Sequence, residues 1–309
     1  MRADASRRHI VRSLALLIGA LSLAVVILSA YLRLDAAGLG CANWPQCYGQ
    51  ILSGNPPPLH YGLPRLLHRL IASTALILAL ILVWRCLRPT PLQAATRYAV
   101  LLLLLMLALS VLGFFSADPR RALIGFLNIL GGLGLVSFSW RVAMAAEPST
   151  FNATVRHPPP GILLRIGVGA LTLVVLLGAW IGATYSAVAC PSLPLCNGVW
   201  WPAPEGWAAL NPLAQPSAAP VAGDAGGVML HLLHRGFAMT VVLVLGFAAL
   251  SALRHVATRV AALSVLLLLL TVSGLGVAAV NSDLSLWLVL GHGATAALLL
   301  AAVASLLRR

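Results

Sequence analysis

Lysine is absent, and acids are scarce. Seven Asp and Glu stand against 20 Arg in 309 residues, and only 9% of the chain is charged. A soluble domain carries about 25% charged residues. The deficit excludes a disordered chain and argues against an ordinary soluble enzyme. Five cysteines are too few for a disulfide scaffold. There is no Gly-rich phosphate loop and no Ser/His/Asp set at workable spacing. The acids Asp4, Asp35, Asp118, Glu147, Glu205, Asp224 and Asp283 all lie away from the middle of any apolar run. A transporter relaying protons through intramembrane carboxylates is therefore disfavoured. A secondary transporter with parallel repeats would need broken helices at the midplane, and the apolar runs here are continuous.

What the chain has in abundance is apolar sequence, 60% of its residues. A hydrocarbon core about 30 Å thick is spanned by about 20 apolar residues in a helix. Eight runs qualify: 13–32, 64–84, 98–115, 122–140, 162–185, 228–253, 260–280 and 284–307. The first exceeds a signal-peptide core and lacks a small-residue cleavage site, so it reads as a retained anchor. Unbroken Leu, Val and Ala runs without alternation predict helices rather than a barrel. The net charge of +13 would suggest nucleic acid on a soluble protein, but here the arginines fall between apolar runs. Fourteen of the 20 lie on the side holding both termini. The positive-inside rule then predicts N-in, C-in topology in a bacterial-type inner membrane, with the lipid bilayer as partner and no nucleic acid.

The chain also repeats itself. Cys41 and Cys47 enclose five residues, as do Cys190 and Cys196, and each pair is followed within two residues by Gly. Leu66-Leu67-His68-Arg69 recurs as Leu232-Leu233-His234-Arg235, and His292 falls at the place matching Asn128. The polar, Pro-rich stretch 145–160 then separates two halves, 1–150 and 151–309. The fold expected is an all-α integral membrane protein, its eight helices arranged as two pseudo-symmetric four-helix bundles.

Intramembrane histidines need a reason. His234 and His292 lie toward the outer ends of helices six and eight, and two such imidazoles can supply both axial ligands of one haem. Gly291, Gly293 and Ala294 leave room for a flat macrocycle. The plainer reading is a histidine that hydrogen-bonds a neighbouring helix. Arg69 and Arg235 suit a haem propionate, or they snorkel to headgroups. His231, three residues before His234, is a spare propionate partner or an interfacial side chain. The Cys41/Cys47 and Cys190/Cys196 pairs face the oxidising side, where a five-residue spacer allows a small disulfide loop. Such a loop could be structural or redox-active, with metal binding the lesser alternative. Cys86 reads as a free thiol.

These residues resemble a known family. The stretch 31–49, YLRLDAAGLGCANWPQCYG, resembles the first outer segment of the haem A synthase family (the COX15/CtaA proteins), and 190–198, CPSLPLCNG, resembles the second. With the paired His-Arg dipeptides and His292, the resemblance runs from about residue 13 to 307. It implies a protein that oxidises one porphyrin methyl of haem O to a formyl, giving haem A for cytochrome oxidase biogenesis. It also implies a haem b cofactor held by His234 and His292, with Arg235 beside it. A substrate haem would sit in the N-terminal half on His68, with Arg69 and Asn128 around it. A haem O synthase, oxidase assembly factors and further copies of the chain are the partners it suggests.

Two positions depart from the family pattern. Asn128 stands where the second N-terminal histidine belongs, which leaves that site five-coordinate. Arg65 stands where a glutamate is usual, and arginine stays protonated and cannot act as a base. They motivate the alternative expectation of a non-catalytic haem-binding protein in oxidase assembly or haem handling.

Overall fold

A computed structural model describes residues 2–39, 62–116, 121–147, 161–213 and 220–307. Among these residues there are eight long helices and no strand. They are α1 (Arg2–Ala36), α2 (Gly62–Leu87), α3 (Gln93–Phe115), α4 (Ala122–Ala145), α5 (Ile162–Ala183), α6 (Ala225–Ala252), α7 (Val256–Asn281) and α8 (Leu286–Leu306). All eight are long and apolar enough to cross a membrane. Lipid offers no partner for backbone N–H and C=O, so each crossing satisfies them within its own helix.

Each apolar run corresponds to one helix, though most helix ends differ from the hydropathy limits. α1 begins at Arg2, well before the apolar run at 13. Helical hydrogen bonding continues into the arginine-rich segment because arginine is itself a good helix former. At α5 the helix stops at Ala183, and Tyr185 turns left-handed (φ 58°) into a short 3-10 turn, Ser186–Ala189. α7 closes on two left-handed residues, Asp283 (φ 51°) and Leu284 (φ 61°). The Leu284 N–H donates to the Ala279 carbonyl at 2.8 Å, which postpones the start of α8 to Leu286. α6 opens on the Asp224 carboxylate, which accepts the Gly227 N–H at 2.8 Å and so satisfies one of the unpaired first-turn donors.

Consecutive helices pack against one another, and α1 also closes on α4. The first core is built from small residues spaced four apart, Ala75 and Ala79 on α2 and Ala95 and Ala99 on α3, with Ile18, Leu82, Leu102 and Val142 filling between. Small residues let helix backbones approach where lipid supplies no hydrophobic drive. The second core joins Leu171, Leu245, Val265 and Leu299 from α5 to α8. In this core a Cβ on Gly167 would lie 3.1 Å from the Cα of Leu245.

The two sets of helices meet along α1, α4, α5 and α8. Leu133 and Val136 of α4 pack on Ala297 and Ala301 of α8. The Trp140 indole N–H donates to the Ser305 hydroxyl at 2.8 Å, and Phe126 meets Trp180 edge to face at 5.3 Å. Arg33, at the end of α1, donates to the Gly182 carbonyl in the last turn of α5 at 2.6 Å. At the opposite end of the bundle, buried Arg7 donates to the carbonyls of Arg85, Cys86 and Thr90 at 2.7–2.9 Å. Arg85 and Cys86 lie in the last turn of α2, where carbonyls lack helical partners, and Thr90 lies in the turn beyond it.

Candidate functional site

Even-numbered helices all run in one direction, so α6 and α8 are parallel. Their early turns lie at the same end of the bundle, the end that carries the Cys190–Cys196 segment. His234 and His292 face each other there across the second set of helices. Their ring centroids are 6.4 Å apart and the ring planes are inclined by 64°. Two metal–imidazole bonds of about 2 Å, plus about 1 Å from each ring nitrogen to its ring centre, sum to about 6 Å. One iron between the rings is therefore compatible with the observed spacing.

The protonation pattern suits the same role. The His234 Nδ1 lies 3.1 Å from the Val174 carbonyl on α5, and the His292 Nδ1 lies 2.9 Å from the Val272 carbonyl on α7. A carbonyl only accepts, so Nδ1 carries the proton in both bonds. Each Nε2 is left with its lone pair. Metal-binding histidines commonly have their second nitrogen held in this way. A Cβ at Gly293 would meet nothing within 4 Å, so there is space beside His292. Among the described residues no group of three or more His, Cys, Asp or Glu converges to hold a bare metal ion. The donor set is two imidazoles in an apolar bundle, which suits a macrocycle that brings its own four nitrogens.

Arg235, the residue beside His234, donates to carbonyls of the Cys190–Cys196 loop. Its Nη1 donates to the Ser192 carbonyl at 2.8 Å, with Pro194 and Leu195 at 3.4 and 3.5 Å. Its Nη2 donates to the Cys190 carbonyl at 3.1 Å. The guanidinium thus ties α6 to the loop closed by the Cys190–Cys196 disulfide, both of whose cysteines are buried. Inside that loop the Ser192 hydroxyl donates to Leu195, and Cys196 and Val199 exchange backbone bonds. His231 contacts the Ser186 carbonyl at 3.2 Å, which fastens α6 to the 3-10 turn. Beside that turn, burial pushes the Tyr185 phenol above its usual pKa, with Arg33 opposing the shift. Trp200 and Trp201 stand exposed on the same end of the molecule, as interfacial tryptophans do.

The N-terminal candidates lie farther apart in character. His68 is half-buried on α2, and Arg65 and Arg69 are exposed beside it. Asn128 is half-buried on α4. Neither His68 nor Asn128 has a hydrogen-bond or ring partner among the described residues. Cys41 and Cys47 lie outside the described residues. Cys86 is free and fully buried on α2. What residue types did not reveal is that both facing imidazoles are held by backbone carbonyls of the preceding helix, since a carbonyl has no letter in the sequence.

The chain is similar to known proteins along most of its length. Residues 123–304 match a family model described as COX15-CtaA, cytochrome oxidase assembly protein. A haem A synthase of Shewanella oneidensis is 31% identical over 304 residues, covering 90% of each chain. One from Shouchella clausii is 27% identical over 65% of this chain and 67% of its own. One from Symbiobacterium thermophilum is 35% identical over 38% of this chain and 37% of its own. Eight apolar crossings and bacterial relatives make the chain a multi-pass protein of the bacterial inner membrane. By the family model that covers most of α4 to α8, and by a relative aligned along nine-tenths of its length, the chain belongs to the COX15/CtaA family.

Proposed function

We propose that this protein works in haem A biosynthesis as a membrane oxidoreductase that converts haem O to haem A, oxidising one porphyrin methyl to a formyl. The observation that carries the reading is the His234/His292 pair: two Nδ1-anchored imidazoles 6.4 Å apart in an apolar bundle. Relatives named haem A synthase, one aligned over 90% of both chains, support catalysis over a haem-handling role.

In this reading His234 and His292 hold haem b, and the N-terminal helices receive the substrate haem with His68 toward its iron. When bound, haem b would supply one-electron chemistry. The chain's own residues bind, orient and exclude water. The Val174 and Val272 carbonyls keep each Nδ1 protonated, which leaves both Nε2 atoms basic. Exposed Arg69, next to His68, offers a propionate a planar two-pronged partner. Asn128 is a poor iron ligand, so His68 would be the residue of this half that holds the substrate iron. Arg65 stays charged and takes no proton from the methyl group. The end of the bundle holding these residues faces the periplasm, with both termini cytoplasmic.

The test is co-expression with a haem O synthase, followed by acid extraction of pigments. Haem A above an empty-vector control is the expected result, and its absence overturns the catalytic assignment. In parallel, His234→Ala and His292→Ala each abolish the low-spin haem spectrum of the purified protein, while His68→Ala retains it. A low-spin spectrum that survives both of the first two variants overturns the ligand assignment.

A further inference from the structure

Each imidazole of the facing pair rests on the same small element of the helix before it. On α5 the carbonyl that holds His234 belongs to Val174, and four residues later stands Gly178. On α7 the carbonyl that holds His292 belongs to Val272, and four residues later stands Gly276. In an α-helix the carbonyl of residue i accepts the N–H of residue i+4. Val174 and Gly178, like Val272 and Gly276, are therefore the two ends of one helical hydrogen bond. A carbonyl oxygen has a second lone pair, and a side donor reaches it only if residue i+4 leaves the approach clear.

Glycine leaves it clear in both cases. A Cβ on Gly178 would stand 3.0 Å from His234 Cε1 and 3.4 Å from its Nδ1. A Cβ on Gly276 would stand 3.2 and 3.3 Å from the same atoms of His292. These are ring atoms at the end of a side chain with two torsions, so a methyl there would turn the ring rather than move backbone. Two other glycines of the same helices serve as contrasts: a Cβ on Gly169 of α5 or Gly274 of α7 meets nothing within 4 Å. Alanine is the better helix former at all four positions, so helix stability does not account for glycine beside the rings.

We propose that Gly178 and Gly276 are positioning residues for His234 and His292, each pairing with the valine four residues earlier to form a backbone notch that sets the ring's rotation and keeps Nε2 turned to the iron. The notch acts through the imidazole and does not touch the iron. The proposal rests on the haem-ligand reading above, and its test separates the two.

Gly178→Ala and Gly276→Ala are compared with wild type and with the controls Gly169→Ala and Gly274→Ala. Three readouts are taken: the low-spin EPR signal of the ferric haem, the rate of haem transfer to an apo-globin acceptor, and the melting of the haem-free protein. In the two notch variants the EPR g-values shift and haem transfer accelerates by about 10- to 100-fold, the range seen when an outer-shell partner of a metal ligand is lost. Haem-free melting stays at or above wild type, and both controls keep the wild-type spectrum and transfer rate. Wild-type spectra and rates in both notch variants overturn the proposal and leave the ligand reading standing. So does a fall in haem-free melting that matches the haem loss, because the glycines would then be packing residues. A wild-type protein with no bis-imidazole haem overturns the ligand reading and this proposal together. The two variants lie in different helices, so each tests the notch if the other fails to accumulate.

Discussion

Removing the Arg235 guanidinium should free the disulfide loop rather than empty the haem site. Residue type suggested a propionate partner, yet the side chain is engaged with loop carbonyls. Two of those bonds are short, 2.8 Å to Ser192 and 3.1 Å to Cys190, and two are long. Hydrogen bonds from a charged donor contribute about 1.5–3 kcal/mol each. Taking the lower figure for a half-buried group, the two short bonds hold the loop by about 3 kcal/mol. At 1.4 kcal/mol per tenfold, Arg235→Gln raises the local opening equilibrium by about 100-fold. Cys190 and Cys196 are 1% and 0% exposed, so a reductant reaches their disulfide only when the loop opens. The assay is reduction by dithiothreitol, quenched with a maleimide, and followed by mass spectrometry of the Cys190–Cys196 peptide. Arg235→Lys, a point charge that cannot span two carbonyls, should fall between glutamine and wild type. Reduction within about threefold of wild type in Arg235→Gln, accompanied by loss of haem, would refute the tether and restore the propionate role.

Three further outcomes follow from the packing. Gly167→Ala places a methyl 3.1 Å from the backbone of Leu245, tighter than ordinary contact, and should destabilise the protein by about 1–3 kcal/mol. A melting temperature no lower than that of Gly169→Ala would contradict this. Trp140→Phe deletes the 2.8 Å bond from α4 to Ser305 on α8. A double-mutant cycle with Ser305→Ala should show coupling of about 0.6 kcal/mol, the average for such bonds in membranes, and zero coupling would remove that bond from the account. Asn128→His should add a second imidazole to the substrate half and raise the low-spin fraction of haem bound there. An unchanged spectrum would mean that position 128 does not face the iron.

Much of the fold was readable in advance because a membrane makes local demands. Each crossing must be apolar and must close its own hydrogen bonds, so hydropathy located all eight helices. It misplaced their ends, because helical bonding runs on past the apolar core at Arg2 and stops where Tyr185, Asp283 and Leu284 turn left-handed. The histidine pair was readable for a related reason: an ionisable side chain in an apolar helix is costly, and the repeated Leu-Leu-His-Arg marked where to look. The contacts that join the two sets of helices had no such signal. Phe126 on Trp180, Trp140 on Ser305 and Arg33 on Gly182 join residues far apart in the chain, and no local pattern couples them.

By itself, the order of residues located eight membrane crossings and marked the histidines that lie within them. Only the packed helices decided what those imidazoles lean on and where Arg235 points. Both answers are backbone carbonyls. Every residue carries that group, so its identity is invisible in a sequence, and which carbonyl meets a given side chain depends on how the helices cross.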